Sequence, residues 1–277
     1  MTRRLLCLIL YCCCITSLLA NDKQTQLTFG IVPQQSASKL AAKWGPVLAR
    51  WSEESGIQLK FSTAKNIPTF EQRLAAGEYD IAYMNPYHYV SYSESSGYQA
   101  LAKEKDKLLK GIIVVRKDSP IEDISQLNDT QIAFPAPASF AATIIPRAVL
   151  AQNQIKTKPR FVYSHDSVYL AVARGFSPAG GGVMRTFNNT PQEVRDLLRI
   201  VWTSQGYTPH AIATHPDIDQ ETREKLLAAL LVLNQDESFL ALIKELNFKP
   251  FEMATHQDWN SVKELGISGF LAQDASK

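Results

Sequence analysis

Beyond residue 14 the chain has no cysteine: all four, Cys7, Cys12, Cys13 and Cys14, lie at its start. The rest of the sequence can therefore form no disulfide, supply no thiol nucleophile and build no cysteine metal site. A surplus of one charge is lacking too. Lys and Arg number 29 against 27 Asp and Glu, and Arg3 and Arg4 account for the difference. The body of the chain thus carries no net charge to draw nucleic acid or a membrane surface. Apolar runs past the first 20 residues are short; Leu226 to Leu233 is one, and charge flanks it. No further membrane span is expected. Also missing are a Gly-x-Ser-x-Gly elbow, a His-Glu-x-x-His zinc motif, an internal repeat and a low-complexity linker.

The start of the chain has its own pattern. Arg3 and Arg4 precede an apolar run from Leu5 to Ile15, and Ser17-Leu18-Leu19-Ala20 supplies a small residue for cleavage before the polar Asn21-Asp22-Lys23-Gln24. This order predicts a secretory signal peptide over residues 1–20. Leu10-Tyr11 ahead of Cys12 fits a lipobox poorly, so a soluble exported form is expected rather than a lipid-anchored one.

From residue 21 onward, β-like runs alternate with amphipathic helical patterns, which reads as α/β. The predicted strands are 27–32, 59–62, 80–83, 111–115, 131–134, 160–164, 181–185 and 200–203. Leu40, Trp44, Val47, Leu48 and Trp51 recur at helical spacing as one buried stripe. From Asp219, a good N-cap, to Phe248 the pattern is nearly all helical. Turn-formers at Lys117-Asp118-Ser119-Pro120 and Ser204-Gln205-Gly206-Tyr207-Thr208-Pro209 mark two crossings. They divide the chain into a discontinuous first lobe, 21–117 with 208–277, and a second lobe, 118–207. Two crossing strands make a hinge, and a hinge between α/β lobes makes a cleft.

Three ordered motifs run through these elements: Phe29-Gly30-Ile31-Val32-Pro33-Gln34-Gln35-Ser36, then Gly77-Glu78-Tyr79-Asp80-Ile81-Ala82-Tyr83-Met84-Asn85-Pro86-Tyr87-His88-Tyr89, then His165-Asp166-Ser167-Val168-Tyr169. In this order they resemble the phosphate/phosphite/phosphonate-binding family of periplasmic ABC-transporter solute-binding proteins, over essentially the whole chain after the leader. The resemblance implies the type II periplasmic-binding-protein fold, a periplasmic location, a small-molecule ligand and delivery to an ABC-transporter permease. It implies no catalytic residue and no cofactor.

In open α/β sheets, ligands lie beyond the carboxyl ends of strands. That places Ser36, Tyr83, Asn85, Tyr87, Ser139, Phe140, His165, Asp166, Ser167, Tyr169 and Arg185 as candidate ligand-binding residues. Each has a plainer alternative. Ser36 is a contact or only a helix cap. Tyr83, Asn85 and Tyr87 face the ligand or belong to a packed turn, whereas His88 and Tyr89 read as structural. His165, Asp166 and Ser167 touch the ligand or form a helix-capping network; as neighbours on one segment they do not make a Ser-His-Asp relay. Arg185 clamps an anion or pairs with a surface acid. Tyr207 and His210 line the hinge, or are a turn residue and a satisfied strand histidine.

Two segments depart from the family pattern. In 136–143 the family carries a hydroxyl-rich turn that holds the oxyanion. Here only the first Ser of that turn survives, as Ser139, with Phe140 and Ala141 at the places of its second and third hydroxyls. In Ser177-Pro178-Ala179-Gly180-Gly181-Gly182, Pro178 replaces an acidic residue, and the triple glycine permits close backbone approach. The cleft therefore reads as more apolar than a phosphonate binder's, which admits an organic or lipidic ligand. Two other readings use the same residues: a periplasmic sensor whose partner is a membrane signalling protein, and metal capture by Tyr87, His88, Tyr89, Tyr92, His165 and Asp166. The expectation is a monomeric binder without metal or nucleic acid.

Overall fold

A computed structural model describes residues 26–265; the expected signal peptide, 1–20, lies outside them. The strands are β1 (Gln26–Ile31), β2 (Gln58–Thr63), β3 (Ile81–Met84), β4 (Gln99–Glu104), β5 (Gly111–Arg116), β6 (Gln131–Phe134), β7 (Lys158–Phe161), β8 (Ala179–Val183), β9 (Leu198–Thr203), β10 (Ala211–Thr214) and β11 (Phe251–Met253). They form a six-stranded sheet ordered β11-β4-β10-β3-β1-β2 and a five-stranded sheet ordered β7-β6-β8-β5-β9. In the first sheet β1 runs parallel to β2 and β3, and β10 lies antiparallel between β3 and β4. In the second, β6 is parallel to β7 and β8, and β5 is antiparallel to β8 and β9.

The helices are α1 (Ala37–Ser55), α2 (Ile67–Ala75), α3 (Pro86–Ser95), α4 (Ile145–Gln152), α5 (His165–Ala173), α6 (Met184–Asn188), α7 (Gln192–Arg195), α8 (Gln220–Leu233), α9 (Glu237–Glu245) and α10 (Asn260–Lys263). The buried residues of α1 are the five of the predicted stripe. Phe29 of β1 packs on Trp44 and Trp51 at centroid distances of 5.7 Å, and the Trp51 indole donates to the Leu226 carbonyl at 2.9 Å. Each large side chain buried in this way contributes about 1.5–3 kcal/mol. A left-handed Gly56 (φ 69°) ends the helix.

Strands β4, β10 and β11 escaped the sequence pattern. Their Ala-, Lys- and Glu-bearing sequences are weak strand formers, and neighbours that arrive from elsewhere in the chain impose their conformation. The predicted boundary at residue 117 is corrected as well. It assigned β5 to the first lobe, but β5 pairs with β8 and β9 in the second sheet. Its Gly-Ile-Ile-Val-Val run is buried on both faces, as suits an interior strand. The first crossing is therefore 105–110, and the second is 204–210. These two segments pair: the Leu109 amide donates to the Tyr207 carbonyl at 2.7 Å, and the Tyr207 amide returns the bond at 3.0 Å. The Gly111 amide donates to Ser204 Oγ at 3.0 Å, and the Ser204 amide donates to the Gly111 carbonyl at 2.9 Å.

Between β6 and α4 the chain makes a π-helical turn, Phe140–Ile144. It lies directly against β5 and β8. A Cβ at Gly181 would collide with the Ala142 carbonyl oxygen and the Phe134 ring, and one at Gly111 with the Ala141 carbonyl oxygen. The triple glycine thus serves close approach on both faces: Gly181 faces this turn, whereas Gly180 faces Val168 and Val172 of α5 and Gly182 faces Tyr169.

Candidate functional site: a cleft where helices begin

A cavity of about 640 Å³ opens between the two sheets. Ser36, Asn66, Asn85 and Ser164, the N-caps of α1, α2, α3 and α5, all line it. Ser139, which opens the π-helical turn leading into α4, lines it too. Sequence dictates the four α-helical starts: a Ser or Asn side chain accepts from an amide one turn ahead, such as Asn85 Oδ1 from His88 N at 2.8 Å. The amino end of a helix carries roughly half a positive charge and unpaired N–H groups. Lys39, Lys65 and Arg185 add full positive charges to the lining, against the single carboxylate of Asp166.

Arg185 joins the two sides. It projects from α6 on the second sheet, and its Nη2 donates to Gln34 Oε1, between β1 and α1, at 2.9 Å. Its guanidinium carbon also lies 5.5 Å from the Phe248 ring centroid. The Gln34 amide nitrogen is 2.9 Å from His210 Nε2. Because Gln34 Oε1 accepts from Arg185, its NH2 must donate, so His210 Nε2 carries no proton. Burial, followed by the nearby Arg185, holds the His210 imidazole well below its ordinary range, in keeping with that neutral form. The Tyr83 ring stacks on His210 at 4.9 Å and 13°. Burial raises the Tyr83 phenol; Arg185 lies close enough to draw it partly back, yet the two form no well-aligned hydrogen bond.

His165, the first residue of α5, is buried beside the cavity with Nδ1 3.5 Å from Thr186 Oγ1. Burial and then Arg185 push its pKa from the usual 6.5 down to about 4. Asn85 bridges the cleft by donating from Nδ2 to the Ala138 carbonyl at 3.0 Å. Phe140 lines the cavity and meets Tyr207 of the second crossing edge-on at 5.7 Å. The Phe140 ring therefore also packs against the junction.

Of the residues expected at the ligand, Ser36, Asn85, Ser139, Phe140, His165, Asp166 and Arg185 line this cavity, while Tyr83 lines an adjoining one of about 230 Å³ that shares Gln34, His165 and Arg185. Three expectations are corrected. Tyr87 packs half-buried against the core of the first lobe and lines neither cavity. Ser167 belongs to the α5 cap, with its amide and Oγ both bonded to Ser164 Oγ. Tyr169 is fully buried; its hydroxyl accepts from the Val183 amide at 3.1 Å and meets Thr186 Oγ1 at 2.7 Å, and burial first of all raises it to about 12. The physical reason is periodicity. In 165–169 the chain is helical rather than extended, so residues of this short segment turn away from the cleft in succession. Likewise β8 stops at Val183, and Arg185 stands on a helix rather than at a strand end.

Gln34, Lys39, Lys65, His210 and Tyr163 also line the cleft. Gln34 was readable from its place beside the Ser36 cap. His210 satisfies both of its alternatives, since it lies at the second crossing and is also hydrogen-bonded. Among the described residues no group of three or more His, Cys, Asp or Glu comes together.

Comparison with known proteins places this geometry. A family model described as "ABC transporter, phosphonate, periplasmic substrate-binding protein" matches residues 29–259. The phosphonates-binding periplasmic protein of Escherichia coli K12 is 20% identical over 264 residues, covering 90% of this chain and 78% of its own. A phosphate-import protein of Mycolicibacterium smegmatis is 23% identical over 224 residues, covering 72% and 69%. In three dimensions the chain resembles a Prochlorococcus marinus protein solved with methylphosphonate, at TM-score 0.79 and 18% identity, covering 88% of this chain and 97% of that one. The fold is that of type II periplasmic binding proteins.

Proposed function

The chain belongs to the phosphonate family of periplasmic ABC-transporter substrate-binding proteins, and from that premise we propose that it captures a small anion between its lobes and presents the closed form to a membrane permease. The observation that carries this reading is the convergence of helix starts and Arg185 on one cavity. A positive helix end stabilises an anion by about 0.3–1 kcal/mol when exposed and up to about 2 kcal/mol when partly buried. A charge-assisted bond from Arg185 adds about 1.5–3 kcal/mol.

Capture of this kind involves no chemical step. His165 approaches Thr186, and Ser167 is held by Ser164, so the hydroxyl, imidazole and carboxylate of 165–167 do not line up as a relay. Arg185 from one lobe and Gln34 from the other give a ligand contacts on both sides, so binding favours closure about the paired crossings. One chain supplies the whole cleft, and the acting unit is a monomer. Export to the periplasm follows the family, with cleavage near residue 20.

The test is calorimetry with methylphosphonate, phenylphosphonate, acetate and benzoate, followed by small-angle scattering with and without whichever binds. At least one should bind and compact the protein. Binding without compaction would refute closure, and failure of all four anions to bind would refute anion capture.

A further inference from the structure

Tyr163 has a backbone φ of 70°, in the left-handed region that bulky side chains rarely adopt. Three of the other four described non-glycine residues with positive φ are Asp106, Asp129 and Asn247, types that tolerate it. Tyr163 also gains nothing from packing, since it is 94% exposed. It nevertheless lines the cleft. Structure on both sides holds it there. The Val162 amide donates to the Phe134 carbonyl at 2.9 Å, and Ser164 caps α5. A strained backbone that presents an exposed ring at the rim of a binding cavity is a reason to look for an occupant of that ring.

The cavity has room for one. Its inner end holds buried polar side chains, His165, His210 and Asn85, together with Arg185. From the first lobe, Ile67 and the exposed Pro68 line the same cavity. A bare oxyanion displaces little more than a few waters of about 30 Å³ each. The cleft, at about 640 Å³, falls within the roughly 300–1,000 Å³ typical of sites for larger organic ligands.

We propose that Tyr163 is a ligand-contacting residue, and that the cleft takes an organic anion carrying a ring-sized apolar body. The anionic group sits at Arg185, and the body lies under the Tyr163 ring against Ile67 and Pro68. This inference rests on the anion-capture reading and names the ligand class within it.

The experiment compares matched pairs that share an anionic group, phenylphosphonate with methylphosphonate and benzoate with acetate, by calorimetry on the wild type and on Tyr163→Asn and Tyr163→Phe. Asn accepts the left-handed backbone and removes the ring, and circular dichroism checks that it folds. The wild type should prefer the aromatic member of at least one pair by about fivefold or more. Tyr163→Asn should lose that preference while keeping its affinity for the smaller anion, and Tyr163→Phe should retain it. A preference below that level in both pairs, or one that Tyr163→Asn leaves intact, overturns the inference and leaves anion capture standing. If none of the four anions binds, anion capture itself fails and this inference fails with it.

Discussion

Arg185 Nη2 and Gln34 Oε1 lie 2.9 Å apart, and their hydrogen bond spans the cleft from α6 to the loop before α1. Burial first, and then the same guanidinium, lowers the pKa of His165 and His210, and Arg185 is the positive group that both imidazoles face. A ligand anion would take over the N–H groups that Gln34 now accepts, exchanging a neutral acceptor for a charged one.

Replacing Arg185 with Gln should therefore weaken binding of any anion that occupies the cleft by about ten- to a hundredfold, corresponding to a lost charge-assisted hydrogen bond. Arg185→Lys should recover only part of this, because an ammonium cannot reproduce the planar fork. Calorimetry measures both. The thermal midpoint should change little, because the side chain is only half-buried.

Stability should depend on the two buried imidazoles with a definite sign. His165 binds its proton near pH 6.5 when unfolded but only near pH 4 when folded, and His210 is shifted in the same direction. Between these limits the unfolded chain holds more protons, so stability is greatest above the unfolded pKa and is lost as pH falls through the folded one. The slope is on the order of 1.4 kcal/mol per pH unit for each histidine inside the window. Denaturant melts from pH 7 to pH 4 should fall accordingly, and His165→Gln should flatten the fall. An unchanged slope in that variant would remove His165 from the account.

Gly181→Ala should destabilise the protein by roughly 1–3 kcal/mol, the usual cost of overpacking. The added methyl has no room between the Ala142 carbonyl and the Phe134 ring. Since the displaced turn begins with Phe140 and follows Ser139, both of which line the cavity, anion affinity should fall together with the urea midpoint.

Asn85 performs two tasks that mutation can separate. Asn85→Ala loses the α3 cap and the bond to the Ala138 carbonyl, and should cost about 1–2 kcal/mol of stability. Asn85→Asp keeps the acceptor for the His88 amide but sets an oxygen against the Ala138 carbonyl. It should preserve more of the thermal midpoint than Ala does while binding anions more weakly, because it adds a negative charge to the cleft.

Much of this molecule was legible from local pattern. The stripe of α1, the Asp219 cap, the α/β alternation and the turn signals beside the second crossing all depend on residues within a few positions of one another. The caps at Ser36 and Asn85 were legible in the same way. The side on which a residue of a short helix faces was not, which explains why Tyr87, Ser167 and Tyr169 were expected in the cleft and lie outside it.

The sequence by itself determined that the chain alternates strands with capped helices, carries no cysteine after residue 14 and follows one family's order of motifs. Only the tertiary structure decided that β5 belongs to the second sheet, that Arg185 reaches Gln34 across 151 positions of chain, and that the starts of several helices meet at one cavity. Capping and periodicity are short-range properties encoded where they act. Convergence of charge and of helix ends depends on which distant segments share a sheet and a junction, and many residues pairing at long range set that jointly.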